Sequence, residues 1–306
     1  MKHCIAFVFC IMLMQPSFAQ SNKSLKLNDT VSLNKNRLRG VLITEGVLYV
    51  TSMTALYSMW YSDYPQTHFH WINDNGEWMQ LDKVGHGLSC YNLSKFGYET
   101  MRWAGVNENK ALWYGGITGF TYQTVIEILD GFSVGWGASP GDLIANTTGS
   151  LLFVGQQLAW HEQRFALKYS FYPTSFADYR PDLLGENFLE ETQKDYNGMT
   201  LWLSANIASF LPHDKQFPAW LNIAAGYGAT GMTGAENNVA EYNGKPVPHF
   251  NRIRQFYLSP DIDFSKIKTK SKTLKVAFYV LNVLKFPAPA IELNSKGKVF
   301  FHPVFY

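Results

Sequence analysis

Charged and amide side chains, set at helical spacing inside apolar segments, constrain this chain more than any other feature. Asp82-Lys83-Val84-Gly85-His86 is answered downstream by Glu127-Ile128-Leu129-Asp130, then by Ser139-Pro140-Gly141-Asp142 and Asn146. Burying such groups costs several kcal/mol each unless they are paired, so the segments that carry them are expected to meet. Asp82 and His86 stand four residues apart and share one helix face, as do Asp142 and Asn146, while Glu127 and Asp130 are three apart.

Three readings of this polar cluster stand side by side. The first is a buried hydrogen-bond network that fixes the register of four helices, and it leads because every member has a structural partner to hand. The second is a divalent metal site, with Asp82, His86, Glu127 and Asp130 offering one imidazole and several carboxylates. The third is acid–base catalysis, with His86 and Glu127 as catalytic candidates whose burial would shift their protonation. No Glu-x-x-His pair, nucleophile elbow or phosphate-cradling glycine loop accompanies them. No cofactor is expected apart from that divalent ion. His68 and His70 lie two apart in an aromatic loop and read as surface residues.

The first residues read as an export signal. Lys2 supplies positive charge, Ile5 to Met14 an apolar run too short to span a bilayer, and Ser17-Phe18-Ala19 a small-residue cleavage site. Cys10 follows Phe9 and Cys4 comes too early, so neither suits lipidation. Cys90 is then the one cysteine of the mature chain, which excludes an intramolecular disulfide. Hydrophobic residues make up 46% and aromatics 16%, while charged residues are only 16%, against roughly a quarter in ordinary soluble domains. With a mean hydropathy of −0.13 the chain is too polar for a set of spanning helices. A protein resting against a membrane surface fits between these limits, with an envelope protein as a further candidate partner. A net charge of +2 gives no reason to expect nucleic acid.

The 306 residues suffice for one large domain or two small ones. After the signal (1–19) and a mobile leader (20–39), the pattern predicts a helical domain over 40–162 and a β-rich region over 163–306. The class is α+β: an α-helical bundle, then an antiparallel sheet with one long amphipathic helix. Helices are expected over 40–61, 77–103, 108–129 and 139–162. Asn107 caps the third, and Ser139, Pro140 and Asp142 form a capping box for the fourth. Gly115 and Gly119 on one helix, and Gly141, Ala145 and Gly149 on the next, predict that those two helices touch along smooth faces. Alternation then marks strands at 164–171, 199–207, 220–227, 252–264 and 299–306. The interposed helix, 265–286, puts Lys266, Lys268, Lys270, Lys272 and Lys275 beside an apolar run, the pattern of a membrane-surface helix. A terminal aromatic, Tyr306, raises the rival of an outer-membrane barrel, but the strands are too few, and Pro303 marks an edge.

Asp82-Lys83-x-x-His86, Glu127-x-x-Asp130 and Ser139-x-Gly141-Asp142-x-x-Ala145-Asn146-x-x-Gly149, in that order, resemble the YfiM-like domain-of-unknown-function family. The resemblance covers roughly residues 40–175, and the β-rich tail is similar to the longer form found in Bacteroidetes-type bacteria. It implies an envelope location and no established activity; the family's members are described as predicted periplasmic lipoproteins, a label from which this chain departs because neither Cys4 nor Cys10 suits lipidation. A more distant similarity links the same order to VanZ-like integral membrane proteins. The function expected is therefore that of a structural or accessory factor of the cell envelope. The alternative is a membrane-peripheral enzyme or lipid-binding protein that uses the His/carboxylate cluster. Intact-mass measurement of the exported protein should find a chain beginning at Gln20; a mature protein that retains Met1 would contradict the export reading.

Overall fold

The computed structural model describes residues 32–62, 64–212 and 217–306, so the expected signal segment, Cys4 and Cys10 lie outside the described residues. Helix α1 spans Lys35–Leu56 and runs into a π-helical turn at Tyr57–Tyr61. It starts before Gly40, and the leader ends accordingly, because Asn34 accepts a hydrogen bond from the Arg37 N–H and caps the helix. No described helix is long and apolar enough to cross a membrane.

The second helix also departs from expectation. Residues 77–80 form a tight turn in which Trp78, Met79 and Gln80 adopt left-handed φ values of 47°, 51° and 66°, so α2 covers only Leu81–Trp103. Tertiary contacts impose this conformation: Trp78 is buried against the ring of Tyr196, and the Met79 carbonyl accepts from Arg254 at 2.9 Å and from the Tyr227 hydroxyl. The helix expected over 108–129 is broken into α3 (Glu108–Tyr114, capped by Asn107) and α4 (Thr118–Gly131). Helix α5 is Pro140–Trp160, capped by Ser139 and ended by His161 in a left-handed conformation, two residues short of Glu162.

The small-residue faces of α4 and α5 do not meet each other as expected. Both press on α2: a β-carbon at Gly119 would collide with the Cys90 carbonyl, and one at Gly149 with the Gly87 carbonyl. Helix α2 is therefore the central rod of the bundle, and it buries Asp82, His86, Ser89, Asn92 and Ser94 between its neighbours.

A six-stranded antiparallel sheet follows, in the order β1-β2-β3-β6-β7-β8. Its strands are β1 (Phe165–Phe171), β2 (Met199–Asn206), β3 (Leu221–Thr230), β6 (Ile253–Ile262), β7 (Ala288–Asn294) and β8 (Val299–Phe305). Two short helices, α6 (Pro181–Leu184) and α7 (Phe188–Lys194), separate β1 from β2, and a two-residue hairpin, β4 (Glu241–Tyr242) and β5 (Lys245–Pro246), precedes β6. Five strands sit where alternation places them, and β7 is additional. The helix expected over 265–286 shrinks to α8, Lys272–Leu281. Ser271 caps it, so Lys266, Lys268 and Lys270 precede the helix and only Lys272 and Lys275 belong to it. Among the described residues β1 and β8 form no ladder, so the sheet is not a closed barrel, and Pro303 does lie on the edge strand. The sheet nevertheless curls. The chain entering β7 bridges β1 through Tyr169 and Leu284, and the Phe305 ring of β8 lies 5.9 Å from Trp202 of β2.

Helices and sheet share one core. Trp78, Leu81 and Leu88 pack with Tyr169, Tyr196, Met199, Leu201 and Ala229. Because the α2–α5 contact has no room for a β-carbon, Gly149→Ala should lower unfolding free energy by about 1–3 kcal/mol. Gly155→Ala, with nothing within 4 Å of its added β-carbon, should raise it by about 0.5–1 kcal/mol. Denaturant titration of the two variants checks the contrast.

Candidate polar site between three helices

The structure brings Asp82, Lys83, His86, Glu127, Asp130, Ser139, Asp142 and Asn146 into one buried region between α2, α4 and α5, and Asp74 and two tyrosines join them. Ser139 accepts the Asp142 N–H at 3.1 Å, as an N-cap should. The reciprocal half of the box is not made by Asp142: the Ser139 N–H donates instead to Glu127 Oε2 at 3.0 Å, and the Ser139 hydroxyl donates to Asp74 Oδ1 at 2.6 Å. The Asp142 carboxylate is thereby released from the cap and turns to Lys83.

Lys83 is the hub. Its ammonium lies 2.7 Å from Asp74, 2.7 Å from Asp142 and 3.2 Å from Asp82, joining the loop before α2, α2 itself and the start of α5. His86 Nδ1 is 3.0 Å from Asn146 Oδ1, which also accepts from the Cys90 thiol at 3.4 Å. The other His86 nitrogen lies 3.8 Å from Asp142 and 4.0 Å from Asp82. Glu127 Oε1 is 3.8 Å from His86 Nδ1. The Tyr196 hydroxyl donates to Asp82 at 2.8 Å and the Tyr61 hydroxyl to Asp130 at 2.6 Å. Asp142 Oδ2 and Asn146 Nδ2 make no hydrogen bond, and both residues are wholly buried.

Five carboxyl groups around two basic side chains cannot all carry charge in a dry site, and the structure sorts them by contact. Burial raises Asp82, but His86 and Lys83 outweigh it and hold this carboxyl below its ordinary range. Burial pushes Glu127 up to about 8, with Asp142 adding to the rise and His86 and the Ser139 N–H opposing it. Burial likewise brings Asp142 up to about 7 against the pull of His86 and Lys83, and it raises Asp130 despite the Tyr61 hydroxyl. Lys83 moves the other way: burial alone would lower it, but Asp82 and Asp142 hold its ammonium above the usual lysine range.

The ligand geometry differs from the metal set read in the sequence. Atoms of Asp82, His86 and Asp142 lie within 4.8 Å of one another, and Glu127 and Asp130 are not in that group. A divalent ion there would compete with the Lys83 ammonium, which already touches both carboxylates. Asp74, Tyr61 and Tyr196 escaped sequence reading: Asp74 sits in the turn-like Asn73-Asp74-Asn75-Gly76, and the tyrosines come from remote segments. Gln123 was missed too. It is buried one turn before Glu127, a spacing that pointed to it. The lysines at 266–275 are not part of this site, and Lys266 lies 3.7 Å from Glu162.

Residues 70–154 match the family described as "Predicted periplasmic lipoprotein (DUF2279)". The matched segment carries every member of the cluster except Tyr61 and Tyr196, and it lies inside the region that resembles the YfiM-like proteins. It supports an exported, periplasmic location for this chain. No curated protein and no solved structure matches the chain.

The raised carboxyls set a direction for pH dependence. Folded protein keeps protons on Glu127 and Asp142 that the unfolded chain releases near pH 4, so the folded state binds more protons between about pH 5 and 8. Unfolding free energy should therefore fall as pH rises through that window, by about 1.4 kcal/mol per unit for each retained proton, more steeply below about pH 7, where both contribute, than above it, and level off beyond about pH 8. Glu127→Gln should flatten the upper part of the slope, as read by denaturant titration at pH 5, 6.5 and 8.

Proposed function

We propose that this chain is a non-enzymatic structural or accessory factor of the cell envelope, placed at the periplasmic face of a membrane, whose polar cluster clamps its helical domain. The observation that carries this reading is the Lys83 ammonium shared by three carboxylates from three segments, with its carboxylate partners buried. Such an arrangement holds backbone elements together. It offers a substrate little access, since His86 and Asp142 are 2% and 0% exposed. The exposed Lys268, Lys270 and Lys272, with Lys266 and Lys275 beside them, supply charge that suits an anionic lipid surface or an acidic envelope partner.

A second reading keeps one specific observation in its favour. Asp82, His86 and Asp142 stand at a separation a divalent ion could bridge, and Asp142 Oδ2 has no hydrogen bond. A membrane-peripheral enzyme or lipid-binding protein acting through His86 would use the site in that way, with Glu127, 3.8 Å from His86, standing beside the ion rather than among its ligands.

The two separate under mutation. Removing the cation from a buried cluster strands its partners, so Lys83→Met should cost about 3–5 kcal/mol of stability. His86→Ala should cost about 1–3 kcal/mol. Any envelope phenotype should track the loss of folded protein. A stoichiometric divalent ion in purified protein, lost on His86→Ala while the fold persists, would establish the second reading instead.

A further inference from the structure

The curled sheet has its polarity reversed. On β1, β2, β3, β6 and β7 the residues facing into the curl include Lys168, Ser204, Asn222, Asp261 and Glu292, all buried. Lys168 pairs with Asp261 at 2.7 Å, Ser204 donates to Asp261 at 2.7 Å, and Lys285 lies 3.8 Å from Asp261 and 5.0 Å from the Trp202 ring centre. Trp202, Tyr257 and Phe305 fill the remaining space.

The opposite side is apolar and bare. Leu203, Ala225, Leu258, Ile291 and Phe301 stand in one row across β2, β3, β6, β7 and β8, each opposite the next in register. Leu258 is 50% exposed, Ile291 51% and Phe301 67%. A second row adds Phe256, Leu293 and Val299, all exposed. Between β3, β6, β7 and β8 runs a shallow groove of about 340 Å³, lined by Ile223, Leu258, Pro260, Ile291 and Phe301 among others. The helical domain covers this side at β1, the near part of β2 and the adjoining ends of β3 and β6, through Met199, Leu201 and Ala229 and through Tyr227 and Arg254, which both reach the Met79 carbonyl.

We propose that this outward sheet face seats in the hydrocarbon of a lipid bilayer. A sheet in water hides its apolar side and wets its polar one, whereas a sheet in lipid does the reverse. Strands β3 and β6 have ten residues each. At about 3.3 Å per residue they are long enough, when tilted, to cover an apolar band some 25 Å tall. Exposed Phe210 and Trp220 lie at one end of the band, and exposed Lys296 and Lys298 in the β7–β8 turn lie at the other, as at the borders of a lipid-facing surface. A second copy of the chain would need an apolar patch but would give no reason for charges to line the inside of the curl. The proposal rests on the envelope reading only for the presence of a membrane and is independent of the role of the polar cluster.

Flotation of the full mature chain with neutral phosphatidylcholine vesicles in high salt tests it, because salt screens any contribution of Lys266, Lys268, Lys270 and Lys272. The wild-type chain should float. The triple substitution Leu258→Glu, Ile291→Glu and Phe301→Glu should reduce the bound fraction at least about tenfold with little change in melting temperature, since all three side chains are exposed. Should the triple variant not fold, a polarity-sensitive dye on Ile291→Cys serves the same purpose, as Cys90 is buried; its emission should shift to the blue on adding vesicles. Failure of the wild-type chain to float, or flotation undiminished in the triple variant, overturns the proposal. A wild-type dimer dissociated by the triple substitution, with no vesicle binding, would assign the face to a second copy. His86→Ala protein that still floats would keep this proposal whatever becomes of the clamp.

Discussion

The helical domain depends on one ammonium group. Lys83 reaches Asp74, Asp82 and Asp142, and through them it fixes the turn before α2, the start of α2 and the start of α5 relative to one another. An isolated buried charge is costly, and so is an isolated buried carboxylate; each is tolerable here because the other is present. The left-handed turn at Trp78–Gln80 aims Asp82 and Lys83 into the site, and the Ser139 cap frees the Asp142 carboxylate to meet them. His86, Asn146 and Glu127 then extend the same network one turn further along α2.

The same economy of polarity runs through the sheet. Its buried charges sit inside the curl, around the Lys168–Asp261 pair, and its outward residues are apolar. Both halves of the molecule thus keep ionic groups within and show large apolar side chains without, including Leu42, Val47 and Val50 on α1 and Ile144, Leu151 and Leu158 on α5. That distribution accounts for a composition in which charged residues are scarce yet many of them are buried.

Local signals were legible and long-range ones were not. The caps at Asn107 and Ser139 and five of the strands follow from neighbouring residues alone. The eight residues of the polar cluster were visible because polar groups at helical spacing in apolar segments have few other uses. Asp74 and Tyr196 were not, since nothing near them in sequence tells that Asp74 meets Lys83 or that Tyr196 reaches Asp82 from a distant segment. The break between α3 and α4 arises where Gly115 closes on Gly97, a contact between helices rather than a property of either. Strand β7 escaped notice because Pro287 and Pro289 bracket its start and alanines occupy two of its inner positions. The helix is shorter than the pattern over 265–286 predicts because its lysine-rich beginning folds as a turn before Ser271, which caps the helix.

The central claim is that Lys83 and the carboxylates around it form one mutually dependent unit, and a double-mutant comparison tests it most directly. Unfolding free energies would be measured at neutral pH for Lys83→Met, Asp142→Asn and the double variant. If the unit exists, Asp142→Asn relieves the buried carboxyl that Lys83→Met leaves without its partner, and the double variant is more stable than Lys83→Met alone, with a coupling of about 1–3 kcal/mol. Losses that simply add would show that Lys83 and Asp142 act independently and would contradict the account.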